Sequence, residues 1–133
     1  MAAQDITLDA HTLIWYIDKQ SNKKLSKLAL ETIKTAEKTA NIFVPIIALM
    51  EILHLIDAGR FPVPFGTIVK TLEENEAYHV VPFDMQLLKI AVSLQRMEIH
   101  DRLIMATAIL TSSLLVSKDK SIHANNQDIV VIW

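Results

Sequence analysis

Four acidic residues in this sequence stand where a divalent cation would need them: Asp9, Glu51, Asp101 and Asp119. Asp9 follows the apolar run Ile6-Thr7-Leu8, and Asp119 follows Leu114 to Ser117 with one residue intervening, so each lies just past an expected strand. In an open parallel sheet, ligands bind in the crevice beyond the carboxyl ends of the strands. Two carboxylates brought together there repel unless a cation or a proton lies between them. Asp101 opens the apolar segment Arg102 to Leu110, where a helix dipole and free backbone amides favour the ionised form. Glu51 lies inside Val44 to Ile56 among apolar neighbours, and a lone buried carboxylate must be protonated, paired or bound to a cation. Each acid also has an ordinary reading. Asp9 and Asp101 suit helix caps, Asp119 suits a turn before Ile122, and Glu51 suits the solvent edge of an amphipathic helix.

The rest of the chain narrows the chemistry. There are no cysteines, which leaves oxygen and imidazole as the metal ligands. Carboxylates without thiols suit hard cations such as Mg²⁺, which prefer oxygen and keep several waters. His11, His54 and His100 each lie within three residues of a candidate acid, but Glu51 and His54 lack the HExxH spacing of a zinc site. These histidines read as structural hydrogen-bonders. Trp15 and Tyr16 read as core or dimer-interface residues, although aromatic rings can also stack on bases.

The elements that must position the acids follow from hydrophobic period. Strands are expected near Ile6 to Leu8, Ile42 to Val44, His79 to Pro82, Leu114 to Ser117 and Ile129 to Trp133. Between them, Leu25, Leu28, Ala29, Ile33 and Ala36 form one helical stripe, and Ile47, Leu49, Ile52, Leu53 and Ile56 another. Gly59 ends the second of these helices, and Phe61-Pro-Val-Pro forces an extended connection. Asp84 is placed to cap a helix running to about Met97, and the small Ala106 and Ala108 would let the helix after Asp101 approach the sheet closely. Strands alternating with helices favour a mostly parallel sheet covered on both faces.

At 133 residues the chain is expected to form one domain, with no repeat or linker. Hydrophobic residues make up 51% and charged residues 21%, enough apolar surface for a sizeable core. The net charge of −2 argues against a protein that coats nucleic acid, so any nucleic-acid contact must be local. No apolar run is long enough to span a membrane, and the opening lacks the pattern of a secretory signal, so a cytoplasmic location is expected.

With these residues in place, the sequence resembles the PIN domain family, particularly the VapC-type toxins of toxin–antitoxin systems. ITLDAHTLIWYI is similar to the family's first strand with its aspartate, VPIIALMEILHL carries the helical glutamate at Glu51, and IHDRLIMATA carries the third acid at Asp101. LLVSKDKSI places Asp119 at the fourth acid with Ser117 two residues before it, and IVVIW is similar to the last strand. The stretch Phe61 to Gly66, with two prolines, departs from the family core.

The resemblance implies an α/β/α sandwich with a five-stranded parallel sheet formed by a single PIN domain over residues 1–133. It further implies Mg²⁺ or Mn²⁺ dependence, cleavage of single-stranded RNA, frequent homodimerisation and, for toxin members, a cognate antitoxin. On that basis Asp9, Asp101 and Asp119 are expected as metal ligands, with Glu51 as a ligand or as the group orienting the attacking water. Thr12 and Ser117 would hydrogen-bond carboxylates or a phosphate, and Arg102, Lys118 and Lys120 would contact the RNA backbone. Two other readings stand beside it: a PIN-like module that binds RNA or protein without cutting, and a receiver-like domain that transfers phosphate to an aspartate.

Overall fold

The computed structural model describes residues 3–125 and 129–133. Five strands, β1 (Ile6–Leu8), β2 (Ile42–Pro45), β3 (Tyr78–Val81), β4 (Leu114–Val116) and β5 (Val131–Ile132), form one sheet in the order β3-β2-β1-β4-β5. All four pairings are parallel. The strands are short and nearly uninterrupted apolar runs, as expected where both faces of a parallel sheet are covered. One face, with Ile6, Leu8, Ile42, Val44, Tyr78 and Val116, packs on α1 (Ala10–Ile17), α2 (Lys27–Thr39), α3 (Ile46–Asp57) and α4 (Phe65–Glu74). The other, through Leu115 and Val131, packs on α5 (Met85–Val92) and α6 (Ile99–Thr111). The result is the three-layer α/β/α sandwich anticipated from the sequence.

This strand order has one consequence for function. The chain runs outward from β1 through β2 to β3, then returns to place β4 on the opposite side of β1. The reversal point lies between β1 and β4, and ligands in such sheets bind at that point beyond the carboxyl ends. Leu8 pairs with Val116, so the next residue on each strand, Asp9 and Ser117, comes out side by side. Ala106 and Ala108 of α6 are fully buried, consistent with a helix lying close against the sheet.

Several local details differ from the sequence reading. Helix α5 stops at Val92 rather than near Met97, and Arg96 takes a positive φ of 78° in the turn that follows. Phe65–Glu74 is a helix behind Pro64, where only an extended connection was anticipated, because Pro64 sets the backbone for a helix start and Ile68 and Leu72 supply a buried stripe. A 3-10 helical stretch at Lys19–Lys24 and a short helix α7 (Lys120–Ala124) were also not foreseen. Leu28 and Leu53, both assigned to buried stripes, are 52% and 42% exposed, since the buried faces are set by Ala29, Ile33 and Ala36 on α2 and by Ile47, Ala48, Leu49, Ile52 and Leu55 on α3. Gly59 closes α3 with φ +73° as the sequence indicated, and Asp84 caps α5 through the Leu87 amide.

Candidate metal centre

Asp9 leaves β1 in an extended conformation and caps α1, its Oδ1 accepting from the Thr12 amide at 3.0 Å. Its other oxygen accepts from the Ser117 hydroxyl at 2.5 Å. Ser117 is fully buried, and the same hydroxyl accepts from the Asp119 amide at 3.0 Å, so one side chain fixes Asp9 and the backbone carrying Asp119 together. The Asp119 carboxylate in turn caps α7, accepting from the amides of Ser121 and Ile122 at 2.8 and 3.3 Å. Ser121 Oγ then stands 2.7 Å from Asp119 and 3.1 Å from Asp101. Three aspartates from three separate parts of the chain are thus strung on two serine hydroxyls at the β1–β4 reversal point.

The arrangement concentrates negative charge. Asp101 is pushed up to about 6, first by burial and next by the charge of Asp119; the hydrogen bond from Ser121 opposes this, while Glu98 and Asp9 add to it. A hydroxyl has a single proton, so Ser121 donates to only one of its two carboxylates at a time. When Asp101 is protonated, it donates to Ser121 and Ser121 donates to Asp119, and every contact is satisfied. When Asp101 ionises, one of the two carboxylates goes without the Ser121 proton.

The linkage has a definite sign. A carboxyl whose folded value lies above its unfolded one contributes stability that is present below the unfolded value of 3.8 and is lost as pH rises through about 6. Asp101→Asn should therefore raise the melting temperature of the metal-free protein at neutral pH. The gain is expected to be about 1 kcal/mol or less, because the group is only half-buried and solvent screens it. It should vanish in melts below the unfolded value, and a gain that persists there would exclude the electrostatic cause.

The donor set is chemically suited to a hard cation, being carboxylate and hydroxyl oxygen throughout. Among the described residues, however, no three carboxylate or imidazole groups are already gathered closely enough to hold an ion.

Glu51 and the helix start at Asp101 are placed differently from the sequence reading. Glu51 is half-buried on α3 beside exposed Met50, Leu53 and His54, and it has no hydrogen-bond or ion-pair partner among the described residues. The need for a partner that its apolar neighbours suggested is relieved because it lies outside the buried stripe of α3. Asp101 does not open its helix. Glu98 is the N-cap, its carboxylate accepting from the His100 amide, and Asp101 sits in the first turn. Thr12 is fully buried and its hydroxyl donates to the Val116 carbonyl at 3.2 Å, tying α1 to β4, while its amide serves Asp9. Arg102 Nε donates to the Met97 carbonyl at 2.9 Å, which commits part of its guanidinium to holding the α5–α6 turn. Lys118 and Lys120 are exposed beside the aspartates.

His100 Nδ1 lies 2.7 Å from Glu98, the structural role assigned to it, and His11 and His54 are exposed. Ser121 was missed by sequence reasoning. The signal present was its place two residues after Asp119, the spacing of a capping turn.

No curated protein matches the chain by sequence. Solved structures do match in fold. The VapBC2 complex of Rickettsia felis, solved bound to a DNA fragment from its promoter, is 13% identical with a TM-score of 0.73, over 96% of this chain and 97% of that one. FitAcB from Neisseria gonorrhoeae is 17% identical with a TM-score of 0.66, covering 96% of each chain. VapBC-5 from Mycobacterium tuberculosis, a member of the VapBC family of toxin–antitoxin systems, is 17% identical with a TM-score of 0.61, over 97% of this chain and 96% of that one. The family model for the PIN domain matches residues 6–126, nearly the whole sequence, and the chain belongs to the PIN domain family.

Proposed function

We propose that this protein is a metal-dependent endoribonuclease that hydrolyses phosphodiester bonds of single-stranded RNA as the toxin of a toxin–antitoxin pair. The observation that carries the reading is the string of three aspartates on Ser117 and Ser121 at the reversal point of a PIN-family sheet. PIN domains are generally nucleases, and one of the fold neighbours named above, VapBC-5, is a member of the VapBC family of toxin–antitoxin systems. A receiver-like activity falls away with the family assignment.

Asp9, Asp101 and Asp119 would hold Mg²⁺ or Mn²⁺, with Glu51 reaching in as a further ligand or as the group orienting the attacking water. When bound, the cation supplies neutralisation of a non-bridging phosphate oxygen and a more acidic water for in-line attack. The chain's own residues do the rest. Ser117 and the Thr12 amide fix the Asp9 carboxylate in one orientation, because both of its oxygens are engaged. Lys118, Lys120 and Arg102 offer positive charge to the RNA backbone. Residues 1–133 act in this reading as a single PIN domain in the cytoplasm. A second copy of the chain would cover exposed apolar side chains such as Met50, Leu53, Phe83, Met85 and Val92, and a cognate antitoxin would occupy the cleft.

The test is direct. Purified protein incubated with labelled RNA should cut it in Mn²⁺ or Mg²⁺ and stop in excess EDTA, with duplex RNA resistant. Binding of the same RNA without metal-dependent cutting would instead establish a non-catalytic PIN module.

A further inference from the structure

Next to the three aspartates, and sharing two of them, lies a cavity of about 370 Å³ lined by Asp9, His11, Thr12, Trp15, Lys118 and Asp119. Its volume falls within the roughly 300–1,000 Å³ of small-molecule pockets. Apart from the acids, its character is aromatic and cationic. The His11 ring stands 5.5 Å from that of Trp15, and Trp15 meets Trp133 edge-on at 6.0 Å. The ammonium groups of Lys24 and Lys118 each lie 5.9 Å from the centre of the Trp15 ring.

Trp15 is not placed like an ordinary core tryptophan. A buried indole N–H usually finds an acceptor, whereas this one has none among the described residues. The ring is held by packing alone, only partly buried, with a cavity against it and two lysines over it. An aromatic face stacks on any nucleobase, and ammonium groups beside it take the flanking phosphates. With a net charge of −2 the chain has no general excess of positive charge, so two lysines at one ring beside the acidic centre are a local site for a polyanion.

We infer that Trp15, with His11 and Lys118, forms a nucleobase subsite that stacks the nucleotide adjoining the scissile phosphate of single-stranded RNA; this rests on the ribonuclease reading above. The subsite orients the strand across the aspartates and excludes duplex RNA, whose bases are paired and stacked on one another.

Two arms test it. In an Asp101→Asn, Trp133→Phe protein, Trp15 is the sole tryptophan and cleavage is blocked at a residue outside the cavity. Short single-stranded RNA should strongly quench its emission and duplex RNA should not. One abasic position in a scan along the strand should weaken binding by about tenfold or more, the scale of one stacked base. An unchanged emission, or equal binding at every abasic position, overturns the subsite. Quenching by a polyglutamate peptide but not by RNA overturns it in favour of a polypeptide ligand. In the second arm, Trp15→Leu should lower kcat/KM by about tenfold to a hundredfold, mostly through KM, and Trp15→Phe should restore most of it. If wild type cuts RNA and Trp15→Leu cuts equally well, the subsite fails and the ribonuclease reading stands. If wild type cuts nothing while RNA still quenches Trp15, the ribonuclease reading fails and RNA stacking at Trp15 stands.

Discussion

Asp9→Asn is expected to lower metal-dependent RNA cleavage by on the order of a hundredfold to a thousandfold while leaving the fold intact. A metal site contributes several kcal/mol of transition-state stabilisation, and each 1.4 kcal/mol or so is a factor of ten in rate. Asparagine keeps an oxygen for the Thr12 amide, so the α1 cap survives. Losing the cap altogether, as in Asp9→Ala, would cost about 1 kcal/mol. What asparagine removes is the negative charge and the strong acceptor for Ser117. The measurement is single-turnover cleavage of labelled RNA in Mn²⁺ beside a thermal melt of each variant. Near wild-type cutting by a folded Asp9→Asn protein would remove Asp9 from the metal set. A loss of activity matched by a loss of folding would assign the residue to structure alone.

Alkaline pH should destabilise this protein through a half-buried carboxylate clamp at Glu37. Glu37 on α2 accepts hydrogen bonds from the hydroxyls of Tyr16 on α1 and Tyr78 on β3, the latter at 2.8 Å. Burial first, then the bond to Glu37 and its charge, push both phenols well above the ordinary value of 10. Their contribution to stability is fully present below pH 10 and is lost as pH rises from there toward the folded values, because the unfolded chain releases protons that the folded one keeps. For Tyr78, the more buried of the two, the loss is about 1.4 kcal/mol per pH unit. Tyr16 is more solvated and adds less.

Tyr78→Phe should cost about 1–2 kcal/mol at neutral pH through the lost hydrogen bond. Its stability should then fall less steeply than that of wild type above about pH 10. Urea unfolding midpoints across that range give the comparison, and parallel curves for the two proteins would show that Tyr78 does not carry the alkaline effect.

How much of this was legible in the sequence depends on the range of the interaction. The strands around Ile6, Ile42, Tyr78, Leu114 and Val131 announce themselves as short apolar runs, since a strand buried on both faces needs little else. Caps at Asp9 and Asp84, and the stop at Gly59, are decided within three or four residues and agree with the sequence reading, whereas Asp119, read as a turn residue, caps the unforeseen helix α7. The start of α6 was placed at Asp101, yet Glu98 takes the cap because its carboxylate reaches the His100 amide first. Helix α4 was hidden by the prolines ahead of it. Glu51 looked buried from its neighbours in sequence, but side-chain direction on α3 depends on where α1 and α6 pack, and that is not written locally.

By itself, then, the sequence determined the five strands and the helices with clear apolar stripes, the parallel α/β class, the family resemblance and the oxygen-rich candidate set, because periodicity, capping and composition are properties of neighbouring residues. Only the tertiary structure decided that β4 lies beside β1 in the register that sets Ser117 against Asp9, that Ser121 links Asp119 to Asp101, and that Trp15 receives Lys118 from the far end of the chain as well as the nearby Lys24. Those contacts join residues up to 108 apart in the chain. They exist because strand order and register, fixed by the burial of whole faces of the sheet and helices, bring them together, and no local pattern encodes that sum.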